Sequence, residues 1–89
     1  MSNQVTINDV RKALCRAHDC VLVKNVVGKA EGHSGEVDKW RRRVDEKGDV
    51  LVAVLADELG AGWTGLPIST QISSKAAIAL GEFEALLSA

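Results

Sequence analysis

The sequence predicts an all-α fold, a small bundle of four to five helices. Three observations lead there. Apolar residues recur at i, i+3, i+4 and i+7 along most of the chain. Residues that cap helices stand at the heads of these stretches, and glycines stand at their ends. The 89 residues suffice for one compact domain with a thin core, since a chain of this size buries only about 60–65% of its unfolded surface.

Thr6 opens the first helix, with Asp9 three residues on as a weak capping box. Ile7, Val10, Ala13, Leu14 and Ala17 form its apolar face, and it ends near His18 and Asp19. Residues 20–32 are ambiguous. Their valines favour a strand, yet positions 22, 23, 26, 27 and 30 also fit a helical stripe. Helix is the slightly better reading; a strand at 20–27 would make the fold α+β. Ser34 caps the next helix, whose inner face is Val37, Trp40 and Val44 and which stops by Gly48. Asp49 caps a largely apolar helix over 50–59, closed by Gly60 at the position after its end. Residues 60–68, with three glycines and the only proline, are a flexible connector. The last helix begins at Ser69 or Ser73 and runs to Leu87, with Ile72, Ala76, Ala79, Leu80, Phe83 and Leu87 on one face.

Composition excludes several functions. Val, Leu, Ile and Phe number 25, too many for a disordered chain. One Phe, two Trp and no Tyr argue against binding single strands by ring stacking. The longest apolar run, 50–56, is far short of the roughly 20 residues that span a bilayer. The start, Met1-Ser2-Asn3-Gln4, has no signal-peptide pattern, and two cysteines five apart make no disulfide framework. The expectation is a reduced, cytoplasmic protein without membrane contact. The net charge of −1 conceals an asymmetry: residues 1–48 carry +3 and residues 49–89 carry −4. A basic half suits a polyanion, and an acidic, apolar half suits assembly.

Catalytic and cofactor motifs fail on context. Gly60, Gly62 and Gly65 spell the dinucleotide pattern, but no strand–helix–strand unit surrounds them, Pro67 follows, and Trp63 crowds the backbone. Cys15, His18, Cys20 and His33 lack the paired spacing of structural zinc sites, and buried, inert thiols are the simpler account. Cys15 and His18 have no third residue to orient the histidine for nucleophilic catalysis. The expectation is a non-enzyme with no cofactor and no metal.

The most informative stretch is Lys39-Trp40-Arg41-Arg42-Arg43. Trp40 faces inward and the bases outward. One reading is a solvated helix whose bases pair with Glu36, Asp38, Asp45 and Glu46. The other is a recognition helix following a Gly-containing turn, as in a helix-turn-helix. Ser34, Gly35, Glu36 and Lys39 would then meet the major groove, and Arg42 and Arg43 the phosphates.

Residues 28–43 resemble the helix-turn-helix of the lambdoid phage CII activators. There an inward aliphatic residue is followed by a Trp three positions on and then a basic pair, places held here by Val37, Trp40, Arg41 and Arg42. An apolar helix and a short closing helix follow in both. The resemblance implies a phage-type transcription regulator that binds double-stranded DNA as a homo-oligomer, dimer or tetramer, with RNA polymerase as a further partner of an activator. Residues 1–59 would be the DNA-binding region, 60–68 the connector and 69–89 the oligomerisation helix. The turn is about one residue short, Gly35 is a poor helix former, and Glu36 and Asp38 are acidic where phosphates would approach. The competing expectation is a small protein-interaction module or adaptor that binds a host or phage protein.

Overall fold

The computed structural model describes residues 5–32 and 34–88, with every side chain there except that of Ser34. Three helices carry the fold: α1 (Ile7–Glu31), α2 (Ser34–Leu59) and α3 (Ser74–Leu87). The all-α class is the expected one, with fewer and longer helices than the four or five expected. Among the described residues the only extended pairing is an isolated bridge between Thr6 and Gln71.

Two expected breaks are absent. The first helix runs past His18 and Asp19, and residues 20–27 are helical rather than a strand. No Gly or Pro lies between Ile7 and Val27, and α1 passes through the buried Gly28 to end at Gly32. There Gly32 turns left-handed, φ 76°, and its N–H is shared by the carbonyls of Gly28 and Lys29. Likewise α2 passes through Gly48, so Asp49 is a mid-helix surface residue and not a cap. Packing explains the glycine. A Cβ at residue 48 would stand 3.1 Å from Phe83 Cε1, so α3 crosses α2 there at a closeness only Gly allows without a shift.

The chain turns back between α1 and α2 as an antiparallel hairpin. Lys24, Val27 and Gly28 lie beside Val37 and Trp40, while Leu14 lies beside Val44 and Gly48. The two helices thus lie beside one another at places 14 residues apart on α1, about 21 Å at 1.5 Å per residue. The near-perpendicular pair of a helix-turn-helix would part within a turn or two. α3 packs against both arms at the end away from the hairpin turn.

Residues 60–73 are better organised than a flexible connector. Gly60, φ 93°, ends α2 as expected, its N–H bonded to the Ala56 carbonyl. Trp63 is buried in the core, held in a 3-10 turn, Trp63–Gly65. The following chain then clamps the start of α1. Ile7 N–H donates to Thr70 O at 2.9 Å and Asn8 N–H to Ile68 O at 3.0 Å, which satisfies two helix donors that have no intrahelical acceptor. The Asp9 carboxylate accepts from Thr6 N–H at 2.9 Å. Ser73 caps α3, accepting from Ala76 N–H at 3.1 Å, while its hydroxyl donates to Glu58 at 2.6 Å.

The core joins Ile7, Val10, Ala13 and Ala17 of α1 to Val44, Leu51 and Leu55 of α2, Trp63, and Ala76, Ala79, Leu80, Phe83 and Leu87 of α3. The apolar face of α3, expected to meet another copy, is therefore used inside the chain. A bundle this small has no other way to cover the inner faces of α1 and α2.

Gly48 and Gly81 separate packing from helix propensity. Gly48→Leu drives a side chain into the Phe83 ring and lowers unfolding free energy by about 1–3 kcal/mol in urea titration. Gly81 has open space around it, so Gly81→Ala raises stability by about 1 kcal/mol.

Candidate functional site

A 14-residue α3 is about 21 Å long, whereas the 25-residue α1 is about 37 Å. The hairpin therefore projects past the end of α3, and the molecule is elongated, 42 × 28 × 19 Å. Trp40 marks where cover ends. Its indole N–H donates to the Leu86 carbonyl at 2.9 Å, one of the acceptors left open at the C-terminus of α3. Lys24 Nζ lies over the Trp40 ring, 4.9 Å from its centroid. Arg16 closes the same end of α3 by donating to Ser88 Oγ at 3.2 Å. Trp40 is thus a half-buried anchor, in line with its expected inward place.

Beyond Trp40 the groove between α1 and α2 continues uncovered. It is a cleft of about 550 Å³ walled by Val23, Val27, Gly28, Val37 and Trp40, with Glu31 and Glu36 at its rim. Beside it Leu22, Val23, Val26 and Val27 are 52%, 61%, 71% and 46% exposed. They line a shallow apolar depression of their own. The expected helical stripe at these positions forms but lies at the surface, and its phase explains why. Buried positions 7, 10, 13 and 17 continue in register to 21, 24 and 28, where Gly28 is indeed buried. Residues 22, 23, 26 and 27 fall on a different side of the same helix.

The expected DNA-contacting residues sit on the first three turns of α2. Gly35, Glu36, Lys39, Arg42 and Arg43 are exposed; the Ser34 side chain lies outside the described residues. Lys39, Arg42 and Arg43, at i, i+3 and i+4, share one face, and Arg41 lies to its side. Among the described residues no ion pair engages any of these four bases; Lys47 pairs with Glu82 at 3.3 Å. The structure does not bring Glu36 into a cluster with the arginines alone: it also borders the apolar cleft.

The other candidates stay apart. Cys15 is exposed and Cys20 half-buried, so the expectation of buried thiols holds for neither in full. His18 is exposed, and His33 lies outside the described residues. Among the described residues no three His, Cys, Asp or Glu side chains come together as a metal site. Gly60, Gly62 and Gly65 close on their own backbone around Trp63, with Trp63 N–H on Gly60 O and Gly65 N–H on Gly62 O. No helix is long and apolar enough to cross a membrane, among the described residues.

No family model, no curated protein and no solved structure matches this chain.

Trp40→Phe keeps the ring but removes the donor to Leu86. It should cost about 0.5–1.5 kcal/mol in urea unfolding, whereas Trp40→Ala should cost more by at least about 1 kcal/mol through lost packing.

Proposed function

We propose that the chain is a small non-enzymatic protein-interaction module, an adaptor that offers the uncovered end of its helical hairpin to a helix of another polypeptide. One observation carries this reading: the cleft walled by Val23, Val27, Val37 and Trp40 is a continuation of the channel that α3 fills, and none of the described residues covers it. A helix with aliphatic residues at i, i+3 and i+4 is what fills such a channel, as α3 does in its own half. Exposed aliphatics gathered in one place are a feature of docking surfaces.

A second reading rests on a different observation. Lys39, Arg42 and Arg43 form an exposed basic face with no ion pair among the described residues, which supports sequence-specific binding of double-stranded DNA by a phage-type, homo-oligomeric regulator. It ranks below the first for two reasons. The hairpin is antiparallel, so α2 does not stand out from α1 as a recognition helix does. Acidic residues 36, 38, 45 and 46 are interleaved with the bases, and the chain carries a net charge of −1.

Retention on duplex DNA separates the two. The adaptor reading expects no binding that falls between about 50 and 200 mM salt. If binding is seen, Arg42→Ala and Arg43→Ala should each lower the slope of log K against log salt by about 0.9, and the second reading takes precedence. A photo-crosslinking side chain at position 27 should give an adduct with a polypeptide; an adduct to DNA from position 42, with none from 27, would overturn the adaptor.

A further inference from the structure

We propose that the apolar stripe of α1 docks on the same stripe of a second copy, antiparallel, so that two hairpins meet as a four-helix arrangement. The inference rests on the reading of this end of the hairpin as a docking surface, and gives the stripe beside the cleft its own partner. The stripe is Leu22, Val23, Val26 and Val27. With Asp19 and Ala30 it repeats at 19, 23, 26 and 30, the alternating three- and four-residue spacing of helices that pack side by side.

Charge decides both the partner and the direction. Asp19 and Lys29 stand at opposite ends of the stripe, both exposed and free of any ion pair among the described residues. In a parallel pair, Asp19 would face Asp19 and Lys29 would face Lys29. In an antiparallel pair centred between Val23 and Val26, Val23 meets Val26 of the other copy. Asp19 then comes level with the turn of the other copy that carries Lys29 and Ala30. The match occurs twice by symmetry, because a two-fold interface uses the same patch on both sides. Arg16, a turn further out than Asp19, comes within a turn of Glu31 of the other copy. The stripe is thus complementary to itself in one direction only.

Size sets the strength. Four partly exposed aliphatic side chains offer a few hundred Å² per copy, below the roughly 800 Å² per partner of standard stable complexes. The dimer is accordingly weak, with a Kd on the order of 10–100 μM, and dissociates at low concentration.

The test is sedimentation of the full chain from about 5 μM to about 500 μM, which brackets that Kd. The mass should rise from one chain towards two. Val26→Asp should weaken association more than about tenfold, since it places a carboxylate against Val23 of the other copy. Val26 is 71% exposed, so this variant keeps the helical circular dichroism of the wild type. Asp19→Lys should weaken association several-fold, and adding Lys29→Asp to it should restore the wild-type value. A monomer at every concentration overturns the inference, as does a dimer indifferent to Val26→Asp. A single charge variant without effect, or a double variant without rescue, overturns the antiparallel register. The dye anilinonaphthalene sulfonate tells the two levels apart. A monomer that enhances its fluorescence, with the enhancement lost in Val26→Asp, sinks self-association but leaves the docking surface. A monomer that does not enhance it sinks both.

Discussion

A short third helix lies against two long ones, and most of the molecule follows from that difference in length. Where α3 is present, the inner faces of α1 and α2 are sealed by Ala76, Ala79, Leu80, Phe83 and Leu87, and the side chains there are close-packed. Where α3 ends, α1 and α2 have only each other. Two helices alone bury one narrow seam, so the distal hairpin keeps Gly28 inside and leaves its valines in water. Trp40 stands at the transition, tied to the end of α3 by its N–H and capped on its other side by Lys24. The same side chain closes the core and floors the open cleft.

Much of this was legible in the sequence, because local physics decides it. The starts of α1 and α3 follow from Thr6, Asp9 and Ser73, and the end of α2 from Gly60, whose hydrogen-bonding or conformational roles need no distant partner. The inner faces of α3 and of the first half of α1 read directly from their spacing. The failures arise where a distant contact overrides the local signal. Gly48 reads as a helix stop until Phe83 is placed against it. Trp63 reads as part of a loose connector until the core has a gap for it. The apolar stripe at 22–27 fits a helix in the sequence, but periodicity marks a face without saying whether anything covers that face. Its change of phase after Ala17 was the available signal, and it becomes visible only once α1 is taken as one helix.

The candidate site was legible to a lesser degree. The row from Lys39 to Arg43 is as exposed as its spacing suggested. The turn before it was misjudged in kind, since Gly32 reverses the chain onto α1 instead of setting two helices across one another. A Gly-containing turn is compatible with both outcomes. The choice depends on whether the preceding helix runs without a break, and residues 20–27 were the ambiguous part of the sequence.

The clamp at the start of α1 and the cap of α3 bear on any encounter with a polyanion. A helix N-terminus carries about half a positive charge, and phosphate commonly uses it. Here Asp9 and the carbonyls of Ile68 and Thr70 already answer the α1 pole, and Ser73, itself bonded to Glu58, answers the pole of α3. Both poles are neutralised from within. A phosphate backbone approaching those ends meets carboxylates and carbonyl oxygens. Away from those two ends, Lys39 and the arginines beside it are exposed positive charges, whose pull at a solvated surface is screened within about 8 Å at physiological salt.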